Sequence, residues 1–143
     1  MQPINYFKIT KDPLKLDMLV EKVVSPAIGG IVTFIGTVRN NTENKKVIKL
    51  SYEANIEFAE SIMKNIFTDI QEQWGKVNIA VAHRIGTDFE VGTITLIIVT
   101  AAPHREEAYS ANRYILEKIK EDLPVWKKET FSNGEDKWVG WDY

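Results

Sequence analysis

The feature that most restricts how this chain can fold is the run from Ile56 to Trp74. There Phe58, Ile62, Ile66 and Ile70, with Ala59, Met63 and Phe67 beside them, recur at i, i+3 and i+4. That spacing lays an apolar stripe along one side of an α-helix and does not match the period of 2 of a strand. The next segments have the opposite character. Val77 to Ile85 and Thr93 to Ala101 are strand-like, and the intervening segment bounded by Gly86 and Gly92 favours a turn between antiparallel neighbours.

The same reading extends to both ends. After a short apolar stretch, Tyr6 to Thr10, Asp12-Pro13 offers an N-cap and a proline at the first helical position. Leu16, Leu19, Val20 and Val23 then predict a helix ending near Ser25-Pro26. Gly29-Gly30 opens a β-branched run, Ile31 to Val38, which reads as a buried strand. Arg39 to Lys46 is polar and predicts a surface loop, after which Ile48, Leu50 and Tyr52 alternate as a half-buried strand. A third helix begins at about Arg105, carries Ala108, Ala111, Ile115 and Ile119 at helical spacing, and is stopped by Pro124. Two short strands around Trp126 to Phe131 and Lys137 to Trp141 flank an Asn133-Gly134 turn. Strands interleaved with three helices but closing in hairpins predict one α+β domain over residues 1–143, with a mixed, largely antiparallel sheet.

Composition narrows the chemistry. The 18 basic and 20 acidic residues leave a net charge of -2, so no global basic field of the nucleic-acid-binding kind exists and any anion site must be local. Cysteine is absent, which excludes disulfides, thiolate metal sites and a cysteine nucleophile; sulfur chemistry here would need imported sulfur. The two histidines lie far apart and no His or carboxylate repeat has metal-ligand spacing, so no metal site is expected. Gly29-Gly30 and Gly36 match neither a P-loop nor a dinucleotide fingerprint, so no nucleotide cofactor is indicated. Met1-Gln2-Pro3-Ile4-Asn5 lacks a charged region followed by an apolar one, and no apolar run nears the ~18 residues of a membrane span. A soluble, cytoplasmic protein without membrane contact is the expectation.

Four groups of residues could carry chemistry. Pro103-His104-Arg105-Glu106-Glu107 stands where a strand gives way to a helix, so a cationic pair sits beside unsatisfied backbone donors, a place that can hold a phosphate. The plainer account makes these ordinary surface residues, with the glutamates answering the helix dipole. Arg39 lies just past a strand end, from which side chains commonly reach ligands. Lys118, Lys120, Lys127 and Lys128 span a helix end and the next strand, and folding back at Pro124 would bring Lys120 near Lys127. Helix-end and strand-edge electrostatics account for such lysines equally well as a reactive amine whose pKa is lowered by a neighbouring cation, with Glu129 as its counterbalance. His83 and Arg84 point to opposite faces of their strand, which favours a structural role for His83.

Taken in order, Phe34-Ile35-Gly36-Thr37-Val38-Arg39, Leu50-Ser51-Tyr52-Glu53-Ala54, His83-Arg84-Ile85-Gly86, Val91-Gly92, His104-Arg105-Glu106-Glu107-Ala108, Lys120, Pro124-Val125-Trp126-Lys127-Lys128-Glu129 and Trp138-Val139 cover nearly the whole chain. Each is weak alone. In register they resemble the MoaE family, the large catalytic subunit of molybdopterin synthase. The pattern departs from the family at Asn55 and Phe58, where tyrosine and methionine are expected, and in the Asn40 to Lys46 loop, which lacks an expected glycine.

The resemblance implies an α/β-hammerhead-like fold and a sulfurtransferase that converts cyclic pyranopterin monophosphate into molybdopterin, adding the two sulfurs of the dithiolene that later holds molybdenum. It also implies a small ubiquitin-like sulfur-carrier partner bearing a C-terminal Gly-Gly thiocarboxylate, and a central homodimer of large subunits within a heterotetramer, whose pocket draws residues from both. Position by position, Lys120 and Lys127 match the family's essential lysines, and Arg39, His104 and Arg105 its substrate-anion residues; Phe34 and Glu129 match pocket positions. The alternative is a non-catalytic member of the fold that only binds the carrier.

Overall fold

The apolar stripe from Ile56 to Trp74 becomes helix α2 of the computed structural model, which describes residues 2–139. Asn55 caps it, its side-chain oxygen accepting from the Phe58 backbone N–H at 3.2 Å, and Gly75, at φ +76°, ends it. The other elements, in chain order, are β1 (Asn5–Thr10), α1 (Leu16–Val23), β2 (Gly30–Thr37), β3 (Asn41–Thr42), β4 (Lys45–Ala54), then, after α2, β5 (Asn78–Arg84), β6 (Gly86–Glu90), β7 (Ile94–Ala102), α3 (Arg105–Asp122), β8 (Val125–Phe131) and β9 (Asp136–Val139). No helix among the described residues is long and apolar enough to cross a membrane.

The strands form two sheets rather than one. The first has the order β1-β5-β7-β2, with β1 parallel to β5 and the other pairs antiparallel. The second has the order β3-β4-β8-β9, with β6 also paired to β4. Three helices with mixed, largely antiparallel pairing bear out the α+β reading. Strands β5 and β7 are buried on both faces, which is why they read as continuous apolar runs. Ile79, Val81, Leu96 and Ile98 pack with α2 and α3, while Ala80, Ala82, Ile97 and Val99 pack with Leu19 and Val23 of α1.

Several expectations need correcting. Ile31 to Val38 is not a strand buried on both faces: β2 lies at the edge of its sheet, and Ile31 and Ile35 remain 40% and 38% exposed. A run of β-branched residues reports strand propensity without saying whether this chain itself covers both faces. The polar segment after Arg39 is not only a loop. Asn41–Thr42 pairs with Lys45–Lys46 around a two-residue turn in which Glu43 and Asn44 have φ +50° and +64°, the conformation such hairpins need and that asparagine tolerates. The presumed turn from Gly86 to Gly92 contains β6, whose pairing with β4 depends on distant residues. Asp12-Pro13 does not begin α1; the Asp12 N–H turns back onto Thr10 Oγ1, and the helix starts at Leu16. The last strand is seen over Asp136–Val139, and residues 140–141 of that expectation lie outside the described residues.

One buried polar group fixes α3 on the first sheet. Asn112, 5% exposed, donates its amide hydrogens to the carbonyls of Val32 (3.1 Å) and Ile98 (3.0 Å) and lies 3.3 Å from Thr100 Oγ1. A buried amide so satisfied specifies register as well as affinity, and it sets where the later turns of α3 point.

Candidate active site

The antiparallel ladder between β4 and β8 sets Leu50 across from Glu129, Tyr52 across from Lys127 and Ala54 across from Val125. Because strand side chains alternate, Val125, Lys127 and Glu129 share one face of β8, and Trp126 and Lys128 take the other. The first three line a cavity of about 370 Å³ where the two sheets and the C-terminal half of α3 meet. Helix α3 ends at Asp122, and the break at Pro124 sends the chain back as β8, so Lys120 lines the same cavity. Lys118 instead pairs with Glu121 at 3.6 Å, and the Lys128 ammonium sits 5.7 Å from the Trp138 ring centre. Of the four lysines singled out in the sequence, two therefore enter the cavity.

The remaining walls come from the end of β2 with Phe34 and the following Arg39, from Thr95 and Leu96 of β7, from His83 at the end of β5, and from Leu50 and Tyr52 of β4. The wall mixes apolar and polar side chains, with Leu116 and Ile119 of α3 beside the cations. Burial pushes the Lys127 pKa below the usual lysine range, and the charges of Arg39 and Lys120 push it the same way, against Glu129, which raises it. Glu129 is 3% exposed and accepts a hydrogen bond from Thr42 Oγ1, so the β3–β4 hairpin helps to hold the carboxylate that faces Lys127.

Beneath them sits an aromatic pair. The Tyr52 and His83 rings meet edge to face at 4.9 Å. Burial, with the nearby Glu129 charge, raises the Tyr52 pKa, partly offset by a hydrogen bond with Thr95, so the phenol stays neutral. His83 is 5% exposed and burial lowers its pKa to about 4. Its Nδ1 lies 2.9 Å from the Arg84 carbonyl oxygen, and since a carbonyl only accepts, Nδ1 carries the hydrogen. Arg84, on the opposite face, donates from Nε to the Lys11 carbonyl.

His104 and Arg105 are placed elsewhere. Both are exposed at the start of α3. A Cβ added at Gly30 would stand 3.4 Å from the Arg105 Cα, which puts the pair beside the first residue of β2, whereas Phe34 is at mid-strand and Arg39 lies past its far end. At ~3.3 Å per strand residue, Phe34 lies roughly 13 Å and the end of β2 roughly 23 Å along from the pair, and at ~1.5 Å per helical residue α3 sets Lys120 roughly 22 Å from Arg105. One chain thus brings together Phe34, Arg39, Lys120, Lys127 and Glu129, and holds His104 and Arg105 apart from them. Near the latter, Glu107 Oε2 is buried with no hydrogen-bond partner.

Sequence reasoning did not pick out Tyr52 or Thr95 as cavity residues, and it gave His83 a structural part only. Tyr52 carried the visible signal of alternation with Leu50, but its place opposite Lys127 depends on the β4–β8 register. Among the described residues, no group of three or more histidine, aspartate or glutamate side chains is arranged to hold a metal ion.

Comparison with known proteins gives consistent matches. A family model described as MoaE protein matches residues 9–122. A molybdopterin synthase catalytic subunit of Halalkalibacterium halodurans is 42% identical over 134 residues, covering 94% of this chain and 85% of that protein. Among solved structures, molybdopterin synthase from Staphylococcus aureus superposes with a TM-score of 0.88 at 36% identity, over 94% of this chain and 96% of that one. A chain in the complex of subunits 1 and 2 of the molybdopterin-converting factor from Helicobacter pylori shares the fold, with a TM-score of 0.74 at 20% identity over 95% and 90% of the two chains.

Proposed function

Because the chain belongs to the MoaE family, we propose that the cavity around Lys127 is where sulfur passes from the C-terminal thiocarboxylate of a small carrier subunit to cyclic pyranopterin monophosphate. The function is that of a molybdopterin synthase catalytic subunit, in molybdenum cofactor biosynthesis. The observation that carries the mechanistic reading is the convergence of Lys120, Lys127 and Arg39 on one cavity, with burial pushing the Lys127 amine toward its neutral form.

Each transfer exchanges sulfur for oxygen: a carbon–oxygen bond of the pterin side chain gives way to a carbon–sulfur bond as the oxygen departs, and water then cleaves the acyl carbon–sulfur bond of the resulting thioester, leaving the sulfur on the pterin and the carrier as a carboxylate. Negative charge builds as the sulfur attacks and the oxygen leaves. Lys127, its pKa lowered chiefly by burial, assists by proton transfer or by stabilising that charge, and the Lys120 charge pushes the pKa in the same direction. Absence of cysteine fits a sulfur that arrives on another chain. Arg39 helps to draw in the anionic groups of both reactants.

His104 and Arg105 grip the cyclic phosphate in this reading, and the distance between them and the lysines requires a second copy to supply them. Edge strand β2, with Ile31 and Ile35 exposed on the face that α1 leaves uncovered, is surface for such a copy, and the orphaned Glu107 carboxylate oxygen is a group for it to satisfy. A homodimer with a carrier bound to each large subunit follows.

Reconstitution with thiocarboxylated carrier and cyclic pyranopterin monophosphate tests the proposal. The wild-type chain should form the dithiolene and Lys127→Ala should not, while still folding and dimerising. A wild-type chain that binds the carrier without producing dithiolene would be a non-catalytic binding module instead.

A further inference from the structure

Every side-chain nitrogen on the cationic wall of the cavity, on Arg39, Lys120 and Lys127 when charged, can only donate hydrogen bonds. Such groups select for anions. They offer nothing to an N–H group, and both reactants named above carry N–H groups: the reduced pterin on its rings, the carrier tail in its peptide amides. An acceptor is needed on the opposite side, and Glu129 is already engaged by Thr42 and faces Lys127.

His83 has what that role requires. It lines the cavity from the end of β5. Its Nδ1–H is committed to the Arg84 carbonyl, which fixes the tautomer and leaves Nε2 with a lone pair. Nε2 makes no hydrogen bond among the described residues, on a side chain that lines the cavity. The Tyr52 ring packed edge to face against the imidazole holds its plane. A ring anchored on one nitrogen and unpaired on the other is a preorganised acceptor.

We propose that His83 is a positioning residue for sulfur transfer, its Nε2 accepting a hydrogen bond from an N–H group of the reactant in the cavity. The inference rests on the sulfur-transfer reading above. It gives the buried histidine a task beyond packing, and it makes the site two-sided: donors for the reacting anions, one acceptor for the group that orients them.

Two substitutions divide the two nitrogens. His83→Asn keeps a donor near the Nδ1 position for the Arg84 carbonyl and removes the acceptor; His83→Gln keeps an acceptor near Nε2 and loses the anchor. In the reconstituted enzyme, His83→Asn should melt close to wild type and raise KM about tenfold, the size of one hydrogen bond, with kcat changed less. A rise in KM for the pyranopterin identifies the pterin as donor, and a rise for the carrier identifies its tail. His83→Gln should retain more of the wild-type KM while losing stability. Independently of whether the variants fold, the 15N resonance of unprotonated Nε2 in the wild-type protein should move upfield on adding pyranopterin or unthiolated carrier. Unchanged KM for both reactants in a folded His83→Asn enzyme, or an Nε2 resonance that neither ligand moves, would leave His83 a purely structural residue. If wild-type enzyme makes no dithiolene, the sulfur-transfer reading fails and takes this inference with it; if wild type turns over and His83→Asn matches it, only the inference fails.

Discussion

Lys127 stands directly across the β4–β8 ladder from Tyr52, on the same face of β8 as Glu129. That register turns a lysine in a surface-looking sequence into a half-buried amine between a carboxylate and two other cations, with a neutral phenol opposite.

The Glu129 charge is the influence that raises the Lys127 pKa against burial, Arg39 and Lys120. Glu129→Gln should therefore lower that pKa further. Whether Lys127 acts as neutral base or as cation, the limb of the pH profile of kcat/KM that it controls should move to lower pH. A limb that stays in place, or moves to higher pH, would remove Lys127 from the titrating step.

If the phosphate grip comes from a second copy, two inactive variants should rescue each other. Lys127→Ala and Arg105→Ala should each be nearly inactive, with Arg105→Ala weakening pterin binding more than carrier binding. After subunit exchange at equal concentration, half the dimers are mixed and each has one intact site, so about a quarter of wild-type activity should return. No recovery despite demonstrated exchange would place the whole site within one chain.

A Cβ added at Gly29 would lie 2.4 Å from the backbone oxygen of Pro103, a contact no side-chain rearrangement relieves. Gly29→Ala should force β2 away from the turn that carries His104 and Arg105 and destabilise the protein by about 1–3 kcal/mol, readable as a lower denaturant midpoint. Pterin affinity should fall more than in an equally destabilised variant of α2, since the displaced turn bears the anion residues.

Burial holds the His83 pKa at about 4, against 6.5 for a free histidine. The unfolded chain therefore takes up a proton as pH drops below the ordinary value, while the folded chain stays neutral until near pH 4. Stability should fall with decreasing pH across that window, by up to about 3 kcal/mol from this group. His83→Gln should flatten that part of the stability profile; an unchanged slope would mean that carboxylates alone account for acid sensitivity.

The helices, most of the strands and the lysine-rich C-terminal segment were legible in the sequence because periodicity and chain breakers are local. Ile56–Trp74 follows from its 3.6 spacing, and the return of the chain after α3 follows from Pro124. The ordered motifs were enough to indicate the family. Other features were illegible for a physical reason common to them. The edge position of β2, strand β6 and the hairpin around Glu43-Asn44 depend on partners distant in sequence or on backbone angles that no periodicity encodes.

The sequence by itself determined which residues were available: two lysines spaced to meet across a helix stop, an arginine after a strand, a cationic pair at a helix start and no cysteine. Only the tertiary structure decided how they divide. The β4–β8 register selected Lys127 over Lys128 and set Tyr52 opposite it, while the length of α3 kept His104 and Arg105 away from Lys120. Side-chain identity is written residue by residue, but desolvation and proximity, which set a pKa and assemble a site, belong to pairs of residues that only folding brings into contact.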